Sequence, residues 1–251
     1  MTIAIVGYGT MGRALTSYAE ERGHTILSIV DPHVTDARVT HTHLDASALA
    51  GCDVAIEFSV ADGIEERLAI YEQSAVPAVI ATTGWYDRLE ALKDAHSAAP
   101  IIWSGNFAIG VQLFYRIVRH AAELFNSFEE YDVLVNEWFH RNKADSPSGT
   151  AATLGSILIQ ELGRKRRCET ARLDRRRGDD EIHISSTRGG YTAGEHTVIF
   201  DGPADTVTLT HASRSRQGYL AGALAAATWV RQRPQGFCSF EEVLSAVVGE
   251  P

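Results

Sequence analysis

At 251 residues, 45% of them hydrophobic, with a formal net charge of −9, the chain is long enough for one or two domains that bury their cores without staples. The acidic balance argues against nucleic acid as a partner, and no run approaches the roughly 20 apolar residues of a bilayer-spanning helix, so no membrane association is expected. Cys52, Cys168 and Cys238 form no CxxC pair and join no histidine cluster, which predicts no metal, no disulfide framework and a reducing, cytoplasmic setting. Met1–Val6 runs directly into an apolar stretch and lacks the basic lead-in of a signal peptide.

In chain order, strands are expected at Ile3–Val6, Thr25–Val30, Asp53–Phe58, Ala78–Ala81 and Ile101–Trp103. Helical spacing over Met11–Arg22, Gly63–Gln73 and Tyr86–Ala95 separates most of them. This alternation predicts a parallel sheet covered by helices on both faces. Beyond it, helices are expected over Gly110–Phe125 and Gly149–Leu162, flanking a strand at Asp132–Trp138. Period-two strands follow at Glu181–Thr187, His196–Phe200 and Thr206–His211, punctuated by Gly189, Gly190 and Gly202. That change of rhythm marks a separate α+β domain. Tyr219–Val230 is Ala-rich and helical. The expected division is 1–107 and 108–218, with a C-terminal helical region, 219–251, packing back on the first domain. The basic runs Arg164–Arg167 and Arg172–Arg177 suit either a solvated loop or a phosphate-recognising patch; with no interleaved aromatic residues they read as a mobile, solvated surface loop.

The first strand ends in Gly7-Tyr8-Gly9-Thr10-Met11-Gly12 and a helix follows, which is GxGxxG in the context that gives it meaning. Gly7 permits the tight turn, Gly9 lets the backbone approach a pyrophosphate, and Gly12 allows close packing; the helix N-terminus offers free N–H groups and a positive dipole end. This is the Rossmann-type dinucleotide fingerprint. Asp31 closes the second strand about 20 residues on, where a carboxylate accepts from an adenosine ribose and repels a 2′-phosphate. Neither Pro32 nor His33 supplies an arginine for that phosphate, so NADH is the expected cofactor and NADPH the alternative. Ala81-Thr82-Thr83 and Ser104-Gly105-Asn106-Phe107 lie at strand ends, where small and hydroxyl residues let a nicotinamide ribose lie against the backbone, though the same residues also serve as ordinary turns.

The densest chemistry lies between Glu137 and Ala151. Ser148 reads as a helix N-cap, and Gly149 and Thr150 open the helix, making an anion site. His140 and Lys143 stand just upstream, so a carboxylate is held between a cation and helix amides, and Lys143 is able to protonate or polarise a reacting group. Taken one at a time, His140 and Lys143 also suit an ordinary solvated surface.

Over nearly the whole chain the sequence resembles the 4-hydroxy-tetrahydrodipicolinate reductase (dihydrodipicolinate reductase) family. The family motif E-x-H-H-x-x-K-x-D-x-P-S-G-T-A aligns without a gap on Glu137–Ala151; R-x-G…G-E-H is matched by Arg188, Gly190, Gly194, Glu195 and His196; and H-x-A-x-x-R…G-A is met at His211, Ser213, Arg216, Gly222 and Ala223, with Ser213 in place of alanine. The resemblance implies an α/β fold: a Rossmann-type dinucleotide-binding domain plus an α+β substrate and oligomerisation domain on a mixed sheet, assembled as a homotetramer. It implies reduction of a cyclic dicarboxylate of the lysine and diaminopimelate pathway, with Gly7–Gly12, Asp31, Thr82, Thr83 and 104–107 on the cofactor, His140, Ser148, Gly149 and Thr150 on substrate carboxylates, and Lys143 as proton donor. Three further positions depart from the pattern. Phe139 replaces the first histidine of the pair, the family's usual acid/base, and cannot transfer a proton, so that either that histidine is dispensable or His140 or Lys143 does the acid/base work; Ala81 and Ala108 replace a glycine and a serine. Phe139 keeps open a related oxidoreductase acting on a different cyclic imine or amino acid. A catalytically silent NAD-binding protein is the third alternative, but it has no chemical need for Lys143, His140 and the PSGT turn.

Overall fold

The computed structural model describes residues 1–96, 98–233 and 235–248. The chain divides into two compact units, Met1–Ala108 with the stretch from Tyr219 onward, and Ile109–Gly218.

The first unit opens with β1 (Thr2–Val6), α1 (Thr10–Glu20), β2 (Thr25–Val30), α2 (Ala46–Leu49), β3 (Val54–Glu57), α3 (Ile64–Ser74), β4 (Ala78–Ile80), α4 (Leu89–Ala95) and β5 (Pro100–Trp103). The cores of β1, β3 and β4 are apolar and wholly buried, as strands are when helices cover both sheet faces. Every pairing in this sheet is parallel. The loops after β1, β3, β4 and β5 therefore leave from one carboxyl edge, the edge at which such sheets bind ligands.

The second unit contains α5 (Ile109–Phe125), β6 (Asp132–Phe139), α6 (Gly149–Glu161), β7 (Arg167–Glu169), β8 (Glu181–Arg188), β9 (Glu195–Asp201) and β10 (Thr206–Ala212). Its sheet is mixed, in the order β10-β9-β6-β8-β7. The β9 pairings are antiparallel, whereas β8 runs parallel to both β6 and β7. Along β6, Val133, Val135 and Glu137 occupy the buried face, and across β9 they meet Phe200, Val198 and His196 in register.

The chain then returns to the first unit through α7 (Gln217–Val230), β11 (Gly236–Ser239) and α8 (Phe240–Val248), and the completed parallel sheet runs β11-β5-β4-β3-β1-β2. The expected C-terminal helix is thus a helix, a strand and a second helix. The segment Arg231–Gln235 contains Pro234, Gly236 takes φ +115°, and the apolar Phe237-Cys238 pair finds the free edge of β5. Positions 249–251 of the expected helical region lie outside the described residues.

The basic run also differs from expectation. Arg167–Glu169 forms edge strand β7, and Lys165 is buried with its ammonium on Asp132 Oδ1 at 2.6 Å and the Asp179 carbonyl at 2.8 Å. Arg167 and Arg175 donate to the buried Glu181 carboxylate at 3.0 and 2.8 Å, and Arg177 pairs with Asp132. These cations are fastened because two acids needed neutralising. Held first by Arg175, then by the Gly178 N–H and Arg167, against a burial cost, Glu181 falls to about 2.

Candidate active site

The carboxyl edge of the first unit is built around the glycine loop. Gly7 has φ +92°, and a Cβ there would lie 2.6 Å from the Phe58 carbonyl oxygen. A Cβ on Gly12 would overlap the Gly7 carbonyl oxygen, so the loop closes tightly on the first turn of α1. A Cβ on Gly9 would meet nothing within 4 Å. Gly9 is also the N-cap of α1, with no side chain capping it. The loop is closed from below and open above a helix N-terminus, a cradle that fits a pyrophosphate. Thr10 is exposed and Met11 partly so, while the Tyr8 side chain is buried.

Asp31 is buried at the end of β2. Its carboxylate accepts from the Tyr8 N–H at 2.7 Å and from the His33 and Val34 N–H groups, each at 2.9 Å. Burial pushes this carboxyl up, but the three backbone donors outweigh it and hold it below the usual carboxylate range. Asp31 therefore ties the glycine loop to the turn after β2 and keeps its charge. The nearby arginines are committed to acids: Arg13 pairs with Asp36 while stacking over Tyr8, 4.5 Å from its centroid, and Arg38 pairs with Glu20.

At the next loops, Thr82 is buried and its hydroxyl turns inward to Glu57 Oε1 at 3.0 Å, leaving Thr83 exposed and Ala81 buried. Glu57 also accepts from Ser59 at 2.7 Å, Arg67 Nε at 2.9 Å and Tyr71 at 2.7 Å. This wholly buried carboxylate, which the sequence reading missed, gathers the loops after β3 and β4. In the loop after β5, the Ser104 hydroxyl and the Asn106 side chain are spent on local turns, and Gly105 sits against the Tyr86 hydroxyl. Phe107 is wholly buried against Phe240, centroids 4.9 Å apart, so only its backbone is available to a ligand.

In the second unit, β6 delivers the motif. Ser148 caps α6 as its sequence implies, accepting from the Ala151 N–H at 3.1 Å, and its hydroxyl meets His196 Nε2 at 3.1 Å. The Ser148 N–H donates to Glu137 at 3.0 Å. Glu137 also accepts from Ser186 and from Arg188, both at 2.7 Å. Burial alone would raise this carboxyl; His196, Ser148, Arg188 and Ser186 together hold it well below the usual range. A buried anion thus anchors the start of α6 to three strands. Gly149 is exposed, with no atom within 4 Å of a Cβ built on it, and Thr150 is half-buried beside it.

His140 is half-buried; its N–H donates to the Thr192 carbonyl at 2.9 Å, and its Nδ1 is buried without a partner among the described residues. The Lys143 N–H closes a turn onto the His140 carbonyl at 3.1 Å, and its ammonium pairs with Asp145 at 2.8 Å. Arg188 and His196 appear in the sequence patterns without an assigned role; here they hold Glu137. His211 stands opposite His196 in register, and burial and His196 both push its imidazole down. Among the described residues no cluster of metal-ligating side chains occurs, and no helix is long and apolar enough to cross a membrane.

A Rossmann-type unit with an open glycine cradle, joined in one chain to a mixed-sheet unit carrying a lysine beside a capped helix N-terminus, defines a two-unit oxidoreductase. Family models described as dihydrodipicolinate reductase, N-terminus and C-terminus, match residues 1–107 and 110–244. The chain belongs to the dihydrodipicolinate reductase family. It is 33% identical over 249 residues to a 4-hydroxy-tetrahydrodipicolinate reductase of Natronomonas pharaonis, covering 97% of this chain and 100% of that one. A protein of the same name from Staphylococcus haemolyticus is 34% identical over 251 residues, covering 97% and 100%. A solved dipicolinate-bound dihydrodipicolinate reductase from Paenisporosarcina sp. TG-14 shares the fold, with TM-score 0.77 at 22% identity over 97% of this chain and 100% of that chain.

Proposed function

We propose that the protein is an NAD(P)H-dependent reductase that converts 4-hydroxy-tetrahydrodipicolinate to tetrahydrodipicolinate. The observation that carries this reading is the Lys143 ammonium on the same short connection as the α6 N-terminus, which is itself anchored on Glu137. The bound dinucleotide supplies the hydride. Gly7–Gly12 present backbone N–H groups to its phosphates, Asp31 takes a ribose hydroxyl, and the backbone at Ala81, Thr82, Thr83 and 104–107 lies along its nicotinamide end. Gly149 and Thr150, with His140 beside them, receive a substrate carboxylate; the Ser148 hydroxyl shapes that turn. The substrate's 4-hydroxyl leaves as water to give a conjugated carbon–nitrogen double bond, the hydride enters that conjugated system, and Lys143 Nζ delivers the proton taken up as electron density collects on the nitrogen side. Phe139 has no proton to offer, which leaves His140 and Lys143, and we assign the duty to Lys143, whose ammonium is both cation and donor.

NADH is the preferred cofactor in this reading. The support is a charged Asp31 beside the loop, with Arg13 and Arg38 already neutralised by Asp36 and Glu20. On the face opposite Val133 and Val135 the mixed sheet leaves Trp138 exposed and Leu134 and Ile199 half-buried, and we read that face as the surface on which copies assemble into a homotetramer. The test is kcat/KM on 4-hydroxy-tetrahydrodipicolinate generated in situ, with NADH and NADPH measured separately. Turnover with an NADH advantage is expected. An NADPH advantage overturns the cofactor preference; no turnover with either overturns the substrate and favours a different cyclic imine or amino acid.

A further inference from the structure

Phe139 lies two residues beyond Glu137 on β6, on the same face of the strand. It pairs in register with Arg188 on one side. Gly194 stands on the other, with φ +143°, and a Cβ there would be 2.5 Å from Phe139 Cε1, so the ring occupies the space that this glycine leaves. The ring also meets the His196 imidazole nearly edge to face, with centroids 5.3 Å apart at 74°. Two cations sit over it: Lys143 Nζ, 4.6 Å from the centroid, and the Arg188 guanidinium carbon, 5.4 Å away. Arg188 is fastened independently, to Glu137 at 2.7 Å and to the Asp145 carbonyl at 2.5 Å. Among the described residues the Lys143 ammonium has only Asp145 as its other partner, and that carboxylate is mostly exposed.

We propose that Phe139 is a positioning residue whose ring is the platform holding the Lys143 ammonium in place; this rests on the role of Lys143 argued above. A lysine head on a four-carbon stem is poorly fixed by one exposed carboxylate, because water and salt screen the pair. An aromatic face attracts the cation electrostatically yet takes no proton from it. A carboxylate in the ring's place would compete with the substrate anion for the same ammonium. Packing against Gly194 and His196, with the tethered Arg188 over it, keeps the ring from turning away.

The test replaces Phe139 by 4-fluoro-, 3,5-difluoro- and 3,4,5-trifluorophenylalanine, which preserve the ring's shape while draining its negative face, alongside Phe139→Leu and Lys143→Ala. Turnover of 4-hydroxy-tetrahydrodipicolinate is read as kcat and KM separately, with far-ultraviolet circular dichroism and NADH binding as controls for folding. We expect kcat to fall stepwise with each fluorine, ending roughly 5- to 30-fold down, with Phe139→Leu at the bottom of the series. Lys143→Ala should lower kcat by roughly 10² to 10⁴. A flat fluorine series beside a crippled Lys143→Ala overturns the platform and leaves Lys143 as donor. A Lys143→Ala enzyme with near-normal kcat overturns the donor assignment and the platform with it.

Discussion

Glu137 sits where the alternation of β6 calls for an apolar side chain. It follows Val133 and Val135 on the buried face, and its charge is tolerated because Ser148, Ser186 and Arg188 all donate to it. Glu57 solves the same problem in the first unit with Arg67, Tyr71, Ser59 and Thr82. Removing one partner of such a pair strands the other. Glu137→Gln keeps the shape but leaves Arg188 uncompensated, and should cost about 3 to 5 kcal/mol in urea unfolding. A loss within the scatter of ordinary surface substitutions would show that the anchor is dispensable. Neither hub was legible in the sequence: Ser186 and Arg188 lie 49 and 51 residues from Glu137, and the partners of Glu57, though only 2 to 25 residues away, follow no local period.

At the scale of elements, the strand–loop–helix over β1 and α1 separates two roles of glycine that look alike in the sequence. Gly12→Ala places a methyl on the Gly7 carbonyl, so the loop or α1 must shift, and stability should fall by about 1 to 3 kcal/mol. Gly9→Ala meets open space, so its melting temperature should stay close to the parent's. Its methyl instead stands where the phosphates approach, and the NADH dissociation constant from fluorescence titration should rise at least about tenfold, the equivalent of 1.4 kcal/mol. Equal NADH affinity for Gly9→Ala and the parent would move the pyrophosphate elsewhere. This loop was legible because its whole signal is local: a buried apolar strand, three glycines at fixed spacing and a helix. The strand β7 was not, since Arg167–Glu169 becomes a strand only by pairing with β8.

For the molecule as a whole, acid is the sensitive direction. Glu137 and Glu181 are both held below the ordinary glutamate value of 4.5, Glu181 at about 2, so each contributes stability that is complete above 4.5 and lost as pH falls through its folded value. His211 is pushed below 6.5, meaning that the fold prefers it neutral; its protonation adds an earlier, smaller loss as pH drops beneath 6.5. Urea midpoints measured across pH should therefore begin to fall near 6.5 and drop more steeply below about 4.5. Glu181→Gln should shallow the acid limb, and a stability that is level or rising toward acid pH would contradict the assignment.

The chain's own order of residues determined the features that short-range physics controls. The alternation of buried strands and amphipathic helices, the glycine loop, the Ser148 cap and the lysine-bearing turn all lie within about 15 residues of their defining partners, where spacing alone dictates geometry. Tertiary structure decided what depends on distant segments meeting. It split the C-terminal region into α7, β11 and α8 by offering the open edge of β5, and turned a basic run into counter-charges for Asp132 and Glu181. It also set Phe139 between Lys143 and Arg188 in the space left by Gly194. A buried charge or an aromatic platform is defined by what surrounds it, and for Glu137 and Phe139 those surroundings include a strand that the linear sequence keeps some 50 residues away.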